Sequence, residues 1–374
     1  MNNTTSNQEM SIDFNNILQQ AKEFMEQAEK FDKNKLNILI IGKSGVGKST
    51  LLNAIFGENF AKTGSGDPLT QHITDYQKGS LTIYDSKGLE LKDTSAFEEI
   101  ENFIETQKTK SVNEQIHLAW LCISEGGRRV EEREKELYGI LKNNNIPTII
   151  VITKAQQDKD EKGVSFQEVV KELFNTDKVM RVRALEVEDD DGEIKKIKGV
   201  QELINYSYNL LPEAQQKAFA RKQEYDKAMK RQQMEKDAKE IINYYAVASA
   251  APCASPIPFS DIALILPIQA TMIVHLSKIY GLELDMESAK KVTIGLLGVC
   301  AAGFAVRAGL GGLLKFVPVI GTIAGATINA TVTTATTKTM GEVYRVYLDG
   351  NYENILKGIV LSFDFSDIKI GQIK

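Results

Sequence analysis

Apolar positions recur along this chain in two distinct rhythms. Over residues 11–34, Ile12, Leu18, Phe24, Met25 and Phe31 stand at roughly helical spacing among Gln, Glu and Lys. With Ser11 placed to cap it, that pattern predicts an N-terminal helix covering 1–34. Continuous apolar runs take over at 36–42, 81–84, 116–123 and 146–152, as in strands buried on both faces. Helical patterns near 94–110, 131–142 and 166–173 lie between them. Strands alternating with helices build βαβ units, so an α/β domain is expected over 35–212, a mostly parallel sheet with helices on both faces.

The pattern changes after Pro212. From 213 to 240, 14 of 28 residues are charged and none is Gly or Pro. Glu213/Lys217, Asp226/Lys230 and Glu235/Lys239 stand four apart, acid first, which predicts one long exposed linker helix. From 241 to 348 the chain reads as long apolar helices broken at 252–258, 280–284 and 309–321, an all-α apolar domain. A tail follows over 349–374, with weak alternation at 359–365 that predicts a strand or extended arm.

Length and charge sharpen this division. A chain of 374 residues accommodates two domains, and a net charge of −5 argues against nucleic acid as a partner. Residues 1–249 hold 76 of the 95 charged residues, while Val292 to Thr337 contains only Arg307 and Lys315. Cys122, Cys253 and Cys300 sit among apolar neighbours without a CxxC pair, the usage of reduced, buried thiols in a cytoplasmic protein. The first ten residues are polar and lack the basic and apolar regions of a signal peptide.

The chemistry enters at Gly42-Lys43-Ser44-Gly45-Val46-Gly47-Lys48-Ser49-Thr50, a GxxxxGK[ST] sequence after a predicted strand and before a helical run. Glycines there let successive backbone N–H groups turn inward around phosphate oxygens, and the helix N-terminus adds partial positive charge. Lys48 is expected to reach the β- and γ-phosphates and the Ser49 hydroxyl to ligate Mg²⁺. Asp85-Ser-Lys-Gly88 closes a second apolar strand 37 residues beyond Lys48, where a Mg²⁺-organising Asp85 and a γ-phosphate-sensing Gly88 belong. Thr70 is the candidate switch threonine on phosphate and metal, while Thr74 falls in the alternating stretch 73–76 and reads as a strand residue.

These motifs, with Val151-Ile-Thr153-Lys154, resemble the Era-like and septin-like GTPases of the translation-factor-related class over about 35–212. The resemblance implies GTP and GDP as ligands, Mg²⁺ as cofactor, and Lys48, Thr70 and Gly88 as the catalytic set. It also implies base contacts from Thr153, Lys154, the position of Gln156, and Ala184. The loop is closer to the septin form, because Era relatives carry asparagine where Gly45 stands. The family's [NT]KxD motif uses its Asp to accept two hydrogen bonds from guanine; here that position holds Gln156, and Asp158 could serve instead only if the loop shifts by two residues. An amide offers both a donor and an acceptor, which weakens discrimination of guanine from adenine. Arg183-Ala184-Leu185 replaces the usual Ser-Ala-Lys or Ser-Ala-Leu. Ras-like enzymes place a water-orienting glutamine after DxxG, where this chain has Leu89, so slow turnover is expected. Arg128 and Arg129 are candidates for stabilising phosphate charge, in cis or across a homodimer, against the plainer reading of salt-bridging surface residues.

A second resemblance covers about 240–346. Its motifs include Ile257-Pro-Phe-Ser-Asp261, Tyr280-Gly-Leu-Glu-Leu284 and Lys315-Phe-Val-Pro-Val-Ile-Gly321. They are similar to a helical domain of unknown function that follows bacterial Era-like GTPases and is suspected of membrane association. A spanning helix needs ~20 apolar residues. The uncharged runs 262–276 and 292–306 are short, and Phe316–Thr337 is interrupted by Pro318, Gly321 and Gly325. A soluble helical bundle and a hairpin inserted at the inner membrane, with Pro318–Gly321 at its tip, both stand as readings. His72 reads as a solvated loop residue, and 188–193 as a hairpin turn at Asp-Gly rather than a calcium loop.

Overall fold

A computed structural model describes residues 35–63, 67–68, 73–86, 94–188, 192–250, 260–308, 330–359, 361 and 363. The expected N-terminal helix, Thr70, His72, Gly88, Leu89, Cys253 and the hairpin tip at 318–321 lie outside the described residues. The chain divides into two compact units, one reaching Gln233 and one beginning at Met234.

In the first unit a seven-stranded sheet has the order β2-β3-β4-β1-β5-β6-β7. Its strands are β1 (Leu36–Ile41), β2 (Asp67–Pro68), β3 (Ile73–Lys78), β4 (Leu81–Ser86), β5 (Leu118–Ser124), β6 (Thr148–Thr153) and β7 (Val179–Arg181). Neighbours among β4, β1, β5, β6 and β7 pair in parallel, and β2 and β3 add an antiparallel edge. All six residues of β1 are buried because both faces of the sheet are covered. Leu36, Ile38 and Ile40 join Trp120 and Val151 on one face, while Leu39 and Ile41 join Leu121 and Ile150 on the other. Helices α1 (Lys48–Phe56), α5 (Val200–Leu210) and α6 (Glu213–Lys222) supply the first face. Helices α2 (Thr94–Lys108), α3 (Glu132–Asn143) and α4 (Phe166–Phe174) supply the second. Trp120 is fully buried and its indole N–H donates to Ser207 Oγ at 3.1 Å. Strands β8 (Val187–Glu188) and β9 (Ile194–Lys195) form the hairpin that the Asp-Gly signal predicts, with Gly192 at φ 80°.

The charged stretch departs from the expected single exposed helix. It folds as α6 and α7 (Lys227–Ala248), parted by Gln223–Asp226. Phe219 is fully buried in the sheet-side core, its ring edge-on to Phe56 at 6.2 Å. The buried Gln223 amide accepts from Asp226 N at 2.8 Å, and Asp226 Oδ1 then caps Met229 N at 2.8 Å. One apolar turn thus docks against the domain and a local cap restarts the helix. Of the acid-first pairs, Glu235–Lys239 closes at 2.7 Å.

The second unit packs α7 residues from Met234 onward with α8 (Ser260–Ile279), α9 (Met286–Ala308), α10 (Ala330–Gly350) and α11 (Tyr352–Leu356). Pro267 lies inside α8 without ending it. Polar pairs are sealed within: Tyr245 Oη with His275 Nδ1 and Ser277 Oγ with Tyr344 Oη, both at 2.7 Å, and Gln269 Nε2 with Thr337 Oγ1 at 2.9 Å. Buried polar groups satisfied in this way fix which helix faces meet. Leu361 and Phe363 of the tail pack on the same core. Among the described residues no helix is long and apolar enough to cross a membrane.

Candidate functional site

The phosphate loop leaves β1 at Gly42 and closes at Gly47, which caps α1. A side chain at Gly42 would place its Cβ 2.5 Å from the Cys122 carbonyl oxygen, so the loop passes too close to β5 for any other residue. Gly45 and Gly47 adopt φ 73° and 104°, conformations that favour glycine. Lys48 is buried, and its ammonium donates to the carbonyls of Gly42 at 2.7 Å and Lys43 at 3.1 Å, spanning the loop from within. Ser44, Gly45 and Ser49 are exposed, Val46 is buried under the loop, and Thr50 is half-buried. The Lys43 side chain turns outward to Glu131.

Asp85 is buried near the end of β4, beside Ile40 of β1 and opposite Thr74 of β3. Thr74 is therefore a strand residue. Asp85 and Lys48 both act electrostatically on the Cys122 thiol, which brings the carboxylate and the ammonium to the same end of the sheet. Burial dominates there and pushes that thiol up to about 12, so Cys122 is inert; Cys300 is likewise buried and pushed up to about 12.

A cavity of about 300 Å³ opens beside the loop, lined by Gly47, Thr50, Leu51, Thr153–Gln156, Val182–Leu185 and Val187. Thr153 and Lys154 form its inner wall, since a Cβ at Gly47 would lie 3.9 Å from Thr153 Cβ and from Lys154 Cε. Lys154 takes φ 53°, which turns its stem along the loop. Thr153 Oγ1 donates to Val46 O at 2.6 Å and lies 3.1 Å from Ile123 O. The opposite wall is pinned by the bridge between Arg183 and Lys198, and by Gly199, where a Cβ would meet Arg181 O at 1.9 Å.

Sequence reasoning missed the frame around this cavity. Glu125, which follows β5 and is 3% exposed, forms an ion pair with Arg181 at 2.5 Å and accepts the Gln156 N–H. Arg183 Nε donates to Ala155 O at 2.7 Å, and Ala155 N donates to Val182 O at 3.1 Å. Asp158 does not face the cavity. It accepts from Gln167 N at 3.1 Å and lies 3.4 Å from Arg181. Burial would raise its pKa, yet the Ser165 and Gln167 hydrogen bonds and the Arg181 and Arg128 charges hold it below the usual carboxylate range. The two-residue loop shift that would let Asp158 read a base is thereby blocked.

Arg128 and Arg129 are both engaged by the chain's own groups. Arg128 donates to Gln157 O, Asp158 O and Val164 O at 3.1, 2.8 and 2.9 Å, and its guanidinium lies over the Phe166 ring. Arg129 is largely exposed and pairs with Glu131 at 3.4 Å. Glu131 opens α3 in a capping box with Glu134, whose buried carboxyl is pushed up to about 7 by desolvation against the pull of Lys43 and Arg129.

Residues 37–154 match the family model described as 50S ribosome-binding GTPase, and residues 218–352 match the domain of unknown function DUF697. Among curated proteins, a GTPase Era from Xanthomonas campestris pv. campestris is 27% identical over 184 residues, 48% of this chain and 56% of that protein. A GTPase Der from Sulfurimonas denitrificans is 29% identical over 151 residues, 39% of this chain and 30% of that protein. The chain spans about half the length of the Era relatives it matches. Among solved structures, a probable GTP-binding protein engB matches 46% of this chain and 97% of its own at 21% identity and a TM-score of 0.34. An Aquifex aeolicus Era variant bound to GDP and AlF4⁻ matches 57% of this chain and 67% of its own at 18% identity and a TM-score of 0.32.

Proposed function

We propose that this chain, an Era-like P-loop G domain followed by a DUF697 domain, binds GTP with Mg²⁺ and hydrolyses it slowly to GDP and phosphate as a nucleotide-controlled switch. The observation that carries the reading is Lys48, buried at the head of α1 and lying across the loop carbonyls beside the cavity of about 300 Å³. In that position its ammonium meets the β- and γ-phosphates, while the first backbone N–H groups of α1 meet phosphate oxygens. The donors present suit Mg²⁺: the exposed Ser49 hydroxyl on the first turn of α1 and the Asp85 carboxylate near the end of β4, with Thr70 assigned the switch role. The metal would neutralise charge on the β- and γ-oxygens. Lys154 and Gln156 hold the base, and Gly88 senses the γ-phosphate.

Slow turnover is supported by Arg128, whose guanidinium is committed to three backbone carbonyls, and by Leu89 where a water-orienting glutamine would stand. The same observations favour a second reading, a nucleotide-gated module with negligible hydrolysis. In either case the helical domain is the output, engaging a protein partner, a second copy of the chain or the inner-membrane surface from the cytoplasm. Phosphate release measured with wild-type chain and Lys48→Ala tests the enzyme. Release that Lys48→Ala abolishes is expected, and none from wild type would leave only the gated module. Flotation with liposomes in GDP and in a GTP analogue tests the membrane output, which fails if no chain is recovered with lipid in either state.

A further inference from the structure

We propose that Gln156 makes the cavity a reader of 6-oxopurine nucleotides that ignores the 2-amino group, so that hypoxanthine nucleotides are accepted as well as guanine nucleotides. This deepens the nucleotide-binding reading above and rests on it.

No Asp or Glu is among the described residues lining the cavity, and Glu125 and Asp158 are committed elsewhere. Glu125 is held by Arg181 and by the Gln156 backbone, and Asp158 by Gln167 N and Arg181. The loop backbone is fixed on both sides, by Arg183 on Ala155 O and by Arg128 on Gln157 O and Asp158 O. It cannot slide to bring Asp158 forward without breaking these bonds. The group left to meet the edge of a base is the exposed Gln156 side chain, whose amide no described residue engages.

An amide presents one acceptor beside donors. Its oxygen accepts from the purine N1–H and its nitrogen donates to the 6-oxygen, which makes two parallel hydrogen bonds and leaves nothing for the 2-amino group. A carboxylate at position 156, one methylene shorter, meets the other half of that edge and accepts from N1–H and the 2-amino group together. The guanine 2-amino group is therefore a strong determinant for a carboxylate reader and a weak one for Gln156. Ala184 supplies the check against adenine. Arg183 exchanges both backbone bonds with Lys198, and Val182 turns its carbonyl toward Ala155, so alternation along the chain turns the Ala184 N–H to that same cavity side. A fixed donor there favours a 6-oxygen and faces the 6-amino group of adenine donor to donor.

The test is competition of GDP, IDP and ADP for fluorescent GDP on the full chain with Mg²⁺. The expected result is IDP within about threefold of GDP and ADP on the order of 100-fold weaker. Gln156→Asp should create a preference for GDP over IDP of roughly tenfold or more. Gln156→Ala should weaken both nucleotides by the same factor. IDP tenfold or more weaker than GDP on the wild type, ADP equal to GDP, or no gain of preference in Gln156→Asp overturns the inference while GDP binding stands. No saturable GDP binding at all overturns the function proposed above and this inference with it.

Discussion

The Thr153 hydroxyl donates to the Val46 carbonyl at 2.6 Å, so the strand that ends at the base-facing wall is tied directly to the loop that faces phosphate. Thr153→Val removes that bond and leaves the buried Val46 carbonyl facing a methyl group. The expected cost is about 1–2 kcal/mol of stability. Nucleotide affinity should fall on the order of tenfold, because wall and loop lose their common register. Denaturant unfolding and nucleotide titration check the two effects separately, and Thr153→Ser should recover both.

Arg181→Leu leaves Glu125 buried without its guanidinium. Removing one partner of a buried ion pair costs roughly 3–5 kcal/mol. A further Glu125→Gln change removes the stranded charge and should restore part of that loss, which a double-mutant cycle in urea reads directly. Additive losses would mean that the two residues do not act as a pair.

Glu134 titrates near 7 in the folded domain against 4.5 as its ordinary value. The folded state then holds the proton more tightly, so this group's contribution to stability is full below 4.5, is lost as pH rises to about 7, and changes no further above. Glu134→Gln keeps an acceptor for the Glu131 N–H and should flatten that slope, gaining about 3 kcal/mol at most at pH 8. Thermal unfolding from pH 4 to 8 checks it.

In the helical unit, burial and the Lys278 charge lower His275 to about 4 while its Nδ1 lies 2.7 Å from the Tyr245 hydroxyl. The neutral ring is the native form, so its contribution is complete above 6.5 and is lost as pH falls toward 4. A proton NMR titration of the His275 ring should give a midpoint near 4, and the unfolding temperature of this unit should drop across the same interval.

Much of the first domain was legible because its signals are local. The apolar runs of β1, β4, β5 and β6 and the glycines of the phosphate loop each declare themselves within a few residues. The frame of the base cavity was not, since Glu125 meets Arg181 across 56 residues and neither stands in a recognisable spacing. Arg128 was legible only in part for a related reason: the sequence offers a phosphate role beside a plainer surface one, and it is a left-handed backbone at φ 42° that turns it onto the Gln157–Asp158 carbonyls. The break in the charged stretch was hidden by helix propensity that favours continuity, and only the burial of Phe219 and the Asp226 cap expose it.

Helix α1 has a far end as well as a near one. The helix that Lys48 opens is nine residues long, and its last turn is gripped by Glu224 N on Ile55 O at 2.7 Å and by Lys78 on Phe56 O at 3.1 Å. Glu224 lies within the short bend that separates α6 from α7. A rod about 13 Å long therefore joins the head of the phosphate loop to the bend between α6 and α7. Deuterium uptake at the Glu224 amide, which that rod's last turn holds, reads the far end of α1 directly and should differ between empty and nucleotide-loaded chain if α1 shifts along its axis.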